Sequence, residues 1–260
     1  MTDFIFSANP WLLPIAMFII LALSIELPYR FGRTRIERVP GQSDGWNVVQ
    51  SGLATLAAFV LGLSFAQASM RFDTRRALVI TEANAIGTTW LRADQLTVAE
   101  AKRFRAILTA YTAIRLQAYG TPGDRPLHLS AIQLSDQRQT QLWSIASRAL
   151  NAHPASLGLS LLMQTLNETI DVSAEQLEQL TNHVPTAIVV LTLVLVTLAT
   201  LATGIRFARD GARPIGLSLL WVLASVVVLD MAIDYDRPQT GFVTISLAPL
   251  ERQLQSMQEP

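Results

Sequence analysis

The sequence predicts an all-α protein with four transmembrane helices plus an extramembrane antiparallel four-helix bundle continuous with spans two and three. Three observations carry this. Half of the 260 residues are hydrophobic and only 15% are charged, against about 25% in soluble chains. Four apolar stretches approach the length of about 20 residues that crosses a bilayer. Residues 71–183, between the second and third stretches, keep helical period and helix punctuation throughout.

Span one covers about 11–27 (WLLPIAMFIILALSIEL) and could reach back to Phe4. It lacks the basic start and small-residue cleavage site of a signal peptide, so it reads as a retained helix. Glu26 at its end either snorkels or pairs with Arg30 one turn on. Span two covers about 51–70, which makes residues 1–70 the first membrane segment. Its Ala58, Gly62 and Ala66 form a small-residue face suited to close helix packing. Ser64 and Gln67, with Phe59, Leu63 and Phe65, offer the alternative of a narrow pore lining.

The extramembrane bundle takes residues 71–183. Span two continues without a breaker to about residue 95. Val79, Ala83, Ile86 and Trp90 make its apolar stripe, and Asn84 and Gly87 interrupt the neighbouring face Ile80–Asn84–Gly87–Leu91. The expectation there is a buried amide, with glycine allowing close approach. Thr97 and Glu100 read as a capping box. The helix they open puts Phe104, Ile107, Leu108, Tyr111 and Ile114 on one face. "GTPGDRP" at 120–126 is a turn. A helix from about 130 to 151 follows, with Leu142, Ile145, Ala149 and Leu150 inward. In the last helix, from about 155, Leu159, Met163, Leu166, Ile170, Ser173, Leu177, Leu180 and Val184 follow heptad spacing. That seam predicts one helix running into span three, with a kink at Pro185. Glu168, Asp171, Glu175 and Glu178 line the opposite side. They read as a solvated face, or as a cation site or partners for Lys102, Arg103 and Arg105.

Residues 184–235 hold spans three (about 184–205) and four (about 215–235), and 236–260 read as a C-terminal tail. The short loops 28–50 and 206–214 carry seven arginines, against five near helix ends on the other side. The positive-inside rule then leans toward placing the bundle outside the cytoplasm.

Composition excludes several functions. There is no cysteine, hence no disulfide, thiolate chemistry or cysteine metal site. His128, His153 and His183 are isolated, and no nucleophile elbow, P-loop or dinucleotide fingerprint occurs. No metal, cofactor or enzymatic activity is expected. A formal net charge of zero gives no nucleic-acid footprint.

Asp230 and Asp234 stand out, because a charge at membrane depth costs on the order of 3 kcal/mol and normally has a partner. Spans two and four run in the same direction, and span two leaves as "MRFDTRR". Arg71 and Arg75 match the four-residue spacing of the aspartates. A two-rung ion-pair ladder between the helices is therefore expected, either structural or at the mouth of a permeation path. The competing reading places Asp234 and Asp236 in the headgroup zone.

Two blocks, 61–96 and 234–257, carry a resemblance. The first holds Arg71, Asp73, Arg75 and Arg76; then "EANAIGT" with Glu82, Asn84 and Gly87; then "LRAD" with Arg92 and Asp94. The second holds Asp236, Arg237, Pro238 and Gly241. Together they resemble the bacterial bestrophin-like domain family of integral-membrane proteins. The name implies a relation to bestrophins, which are pentameric anion channels with four membrane helices per subunit. The resemblance thus implies a homo-oligomer in the bacterial inner membrane, with the lipid bilayer and small inorganic ions as partners. Bestrophins keep their bulk in the cytosol, the opposite side from the one the arginine count indicates. A non-conducting scaffold or sensor, whose bundle binds a ligand or partner, is the alternative reading.

Overall fold

The computed structural model describes residues 11–35, 43–120, 125–181, 184–211, 214–237 and 241–259. The Phe4 extension of span one, His183 and Pro238 lie outside the described residues. Eight α-helices form among them: α1 (Leu12–Arg35), α2 (Ser43–Arg92), α3 (Val98–Gly120), α4 (Arg125–Ala152), α5 (Leu157–Thr181), α6 (Thr186–Asp210), α7 (Ile215–Tyr235) and α8 (Ala248–Gln258). A single 3-10 turn at Ala93–Gln95 separates α2 from α3. No strand occurs among the described residues. The chain is all-α, with four helices long and apolar enough to cross a membrane: α1, α2, α6 and α7.

The fold divides into two compact units. Unit 1 is Met1–Arg71 with Val184–Val243; unit 2 is Phe72–His183 with Thr244–Pro260. Helix α2 is unbroken over 50 residues, more than twice the roughly 20 that a bilayer crossing takes.

In unit 1, α1 packs on α6 and α7. Leu21, Ile25, Val196, Ala199, Val222, Val226, Leu229 and Ile233 form its core. Gly204 fixes the closest approach, since a Cβ there would stand 2.3 Å from the Ile25 carbonyl oxygen. Helix α6 ends on Gly211, whose φ of 69° lets its N–H reach the Phe207 carbonyl; this is the left-handed cap that glycine alone adopts at no steric cost. The buried stripe of α2 in this unit is Ala57, Ser64 and Ala68. Ala58, Gly62 and Ala66, read from sequence as a packing face, are exposed in the protomer.

Aromatic residues mark both ends of unit 1. Trp11 meets Phe242 edge-on at 4.9 Å, and Phe65 lies 5.5 Å from Tyr235. Toward the other end stand Tyr29 and Trp46, with the Arg209 guanidinium over the Trp46 ring. Trp11 and Tyr29 are 18 residues apart, about 27 Å of helix, close to the hydrocarbon thickness of about 30 Å. Tyr and Trp are the aromatic residues enriched at membrane–water boundaries.

In unit 2, α3 packs on α4 and α8, and α4 on α5. Val79, Ala83, Ile86, Phe104, Leu108, Tyr111, Leu142, Ile145, Leu159, Leu162, Leu166, Leu250 and Met257 belong to one core. The capping box forms: Thr97 N–H donates to Glu100 Oε2 at 3.3 Å, and Glu100 N–H donates to Thr97 Oγ1 at 3.4 Å.

Three expectations change. The helix expected to run from 155 through span three is divided, because Val184 and Pro185 are outside α5 and α6. Proline has no N–H and disfavours helical backbone in the residue before it, so it separates two helices where a kink was expected. The segment read as a tail contains α8, which places Leu250 and Met257 in the unit 2 core. Asn84 is exposed where a buried amide was expected; Ile80 and Leu91 beside it are exposed too. Gly87 accommodates the Gln253 side chain, which a Cβ would meet at 2.7 Å.

Candidate functional site

Two polar constellations stand out, one in each unit. In unit 2, α3 carries Tyr111, Arg115 and Tyr119 at successive four-residue steps, all on one face. Arg115 Nε donates to Glu82 Oε1 of α2 at 2.6 Å, with the Glu82 side chain wholly buried and that of Arg115 7% exposed. A charge pair so far from water holds only when its remaining donors and acceptors are also satisfied. Here the Tyr111 hydroxyl donates to Glu82 Oε1 and the Tyr119 hydroxyl to Oε2, both at 3.4 Å. Arg115 Nη2 donates to Gln176 Oε1 on α5 at 2.7 Å. Gln139 Nε2 on α4 donates to the Tyr111 oxygen at 3.4 Å and to Ser173 Oγ on α5 at 2.7 Å. One network therefore joins four helices of the unit.

Burial pushes the Tyr111 hydroxyl up to about 12, with the Glu82 charge acting in the same direction. Tyr119 is raised for the same two reasons. Burial works against the charge on Arg115, but Glu82 and the two tyrosines hold its pKa above the ordinary value. Both phenols thus stay protonated and donate, and the guanidinium stays charged.

In unit 1 the second constellation surrounds the end of α7. Phe242 N–H donates to Asp234 Oδ1 at 2.6 Å and Val243 N–H to Oδ2 at 2.9 Å. Val184 N–H, which the following proline keeps out of a helix, donates to Asp236 Oδ2 at 2.8 Å. Asp236 is 1% exposed and Arg237 5%. Gly241 N–H donates to the Arg237 carbonyl at 3.0 Å. A Cβ on Gly241 would stand 2.4 Å from Asp234 Oδ1, so only glycine lets this chain lie against the carboxylate. The two aspartates thereby fix the backbone just before span three and just after span four.

The other residues singled out from sequence are spread over both units. Arg75 is buried and donates from Nε to the Gln179 carbonyl at 3.0 Å; Asp73 and Arg76 are exposed; Arg71 and Asp230 are half-buried. Arg92 Nη1 donates to the Leu161 carbonyl at 2.8 Å. Asp94 accepts from Arg105 at 2.7 Å, and that guanidinium also lies over the Trp90 ring. Glu168, Asp171, Glu175 and Glu178 are all exposed. Among the described residues no group of acids and histidines is arranged to hold a metal ion.

Arg115, Tyr119, Gln139 and Gln176 were not singled out from sequence. An arginine one turn from a tyrosine on an otherwise apolar face is the signal that marks Arg115. Gln176 lies beside the heptad seam, where the buried face of α5 widens to include Leu162, Thr165 and Thr169.

Similarity to known proteins agrees with this architecture. Structures of a bestrophin homologue from Klebsiella pneumoniae share the fold. A tryptophan-to-alanine variant aligns with a TM-score of 0.69 at 16% identity, covering 95% of this chain and 96% of the other. A tyrosine-to-alanine variant aligns with 0.69 at 18% identity, covering 94% and 97%. The structure phased on zinc aligns with 0.67 at 17% identity, covering 95% and 98%. No curated protein matches the sequence. The Bestrophin-like domain matches residues 16–250, which takes in all four membrane-length helices and both constellations, and the chain belongs to that family.

Proposed function

We propose that the protein is an oligomeric ion channel of a bacterial inner membrane, with anions as the permeant class. The observation that carries this reading is the family match across residues 16–250 combined with four membrane-length helices; bestrophins, which the family resembles, are anion channels. The exposed face of α2 supports assembly, because Ala58, Gly62 and Ala66 leave room for close approach of a second helix, and Phe59 and Leu63 beside them are exposed in the protomer. Arg71 and Arg75 are proposed to face Asp230 and Asp234, with Asp73 and Arg76 beside them, at the mouth of the permeation path. A double-mutant cycle on Arg71 and Asp230 tests that pairing, and additive effects would rule it out. The arginine count supports placing unit 2 outside the cytoplasm, and the kinship to bestrophins supports the cytosol; a reporter fused near residue 122 decides. Purified oligomer in liposomes should release chloride down its gradient, while protein-free vesicles hold it.

A second reading is a non-conducting scaffold or sensor, and the unbroken α2 favours it. One helix runs from the membrane span to Glu82 at the centre of the buried network. A partner captured in stoichiometric amount, with no flux in vesicles, would support that reading.

A further inference from the structure

Unit 1 contains a half-open cavity of about 310 Å³ between α1, α6 and α7. Leu23, Phe207, Leu219 and Val222 form its apolar walls, and Glu26 and Arg30 stand at its edge. Around its opening Leu23, Leu27, Ile215 and Leu219 are each about half exposed. These positions lie on membrane-length helices, so an acyl chain suits them chemically.

The charged edge is specific. Arg30 Nε donates to Glu26 Oε1 at 2.5 Å, with the Glu26 side chain 23% exposed and that of Arg30 72%. The crossing of α1 and α6 at Ile25 and Gly204 sets the two helices in register. Arg30 and Arg209 each lie five residues beyond that crossing, toward the end marked by Tyr29 and Trp46. The rim therefore has a guanidinium, whose five-donor fork matches a phosphate, beside a carboxylate, which accepts only.

We propose that this groove holds one phospholipid with an ethanolamine headgroup. Its acyl chain lies along Leu23, Leu219 and Val222, its phosphate on Arg30 and its ammonium on Glu26. A primary ammonium offers three N–H donors to the carboxylate, and a choline headgroup offers none. The site is independent of conduction and stands whether or not the protein passes ions.

The test exposes the full-length protein in detergent to vesicles of phosphatidylethanolamine, phosphatidylcholine or phosphatidylglycerol, and counts retained lipid by native mass spectrometry. Phosphatidylethanolamine should be retained several-fold over phosphatidylcholine. Glu26→Gln should equalise the two, Arg30→Gln should weaken all three, and Leu219→Trp should displace the lipid by filling the groove. Equal retention of the ethanolamine and choline lipids by the unmodified protein overturns the proposal, whether the groove is covered by a second copy or takes lipid without selection. A preference that survives Glu26→Gln, or retention unchanged in Leu219→Trp, overturns it as well.

Discussion

The two units place their buried polar groups differently. Unit 2 places an ion pair at its centre and surrounds it with four further polar side chains from three helices. Unit 1 buries its charges at the end of α7, where Asp234, Asp236 and Arg237 lie close together in sequence and are all buried. Ser24, Thr197, Thr203 and Ser225 each donate to a carbonyl four residues back, and Ser64 and Thr192 meet across two helices at 2.9 Å. Both buried carboxylates accept backbone amides, Asp234 from Phe242 and Val243 and Asp236 from Val184. In unit 1 a polar group not satisfied locally would face lipid, where it costs several kcal/mol. In unit 2 several helices can converge on a charge and share its desolvation. Unit 2 keeps its buried charge at its centre, and unit 1 keeps its own at a helix end, where a charge is cheaper than at membrane depth.

The largest effect is expected from removing one half of the unit 2 ion pair. Arg115→Met leaves Glu82 buried and uncompensated, and should cost about 3–5 kcal/mol of stability. Glu82→Leu combined with Arg115→Met should recover most of that loss, since well-packed apolar replacements of a buried pair are often neutral or stabilising. Thermal unfolding in detergent, followed by tryptophan fluorescence, reads both.

Next comes the carboxylate in unit 1. Asp234→Ala strips the amides of Phe242 and Val243 of their acceptor, and bonds to a charged group contribute roughly 1.5–3 kcal/mol each. Partial compensation by water at the helix end should bring the loss to about 2–4 kcal/mol. The protease sensitivity of the segment after α7 should rise with it. Gly204→Ala should cost about 1–3 kcal/mol, because the neighbour it meets is the α1 backbone.

Alkaline pH sharpens the picture of unit 2. Tyr111 titrates near 10 when unfolded and is pushed up to about 12 in the fold. Below about pH 10 the phenol is protonated in both states and its contribution is fully present. As pH rises from about 10 toward 12 the unfolded chain loses the proton first, so stability falls. Tyr111→Phe should flatten that decline in melting temperature between pH 10 and 12. The smallest effect belongs to the acidic stripe: Glu168→Gln or Glu175→Gln should stay within about 0.5 kcal/mol, because both side chains are exposed.

Much of the fold was legible in the sequence, because long apolar runs and helical period report burial directly. Val79, Ala83 and Ile86 are buried, Phe104, Leu108 and Tyr111 are buried, and the Thr97–Glu100 box closes. The site was less legible. Arg115 finds Glu82 33 positions away, and Gln176 meets Arg115 across 61; periodicity within one helix says nothing about such pairs. The aspartates of α7 stand out in the sequence because a charge near lipid is costly. The backbone amides of Phe242 and Val243 that satisfy Asp234 were not foreseeable, since every residue except proline carries an amide. Pro185 marks a kink in the sequence reading, and only the fold shows that the helices separate there and that the Val184 N–H goes to Asp236.

Anion conduction by an oligomer of this chain is the proposal on which the functional reading turns. The most direct measurement is current through a planar bilayer containing the purified oligomer under a potassium chloride gradient. A reversal potential displaced toward the chloride equilibrium potential is the predicted result. Displacement toward the potassium value would contradict anion selectivity, and no current from correctly assembled oligomer would contradict conduction itself.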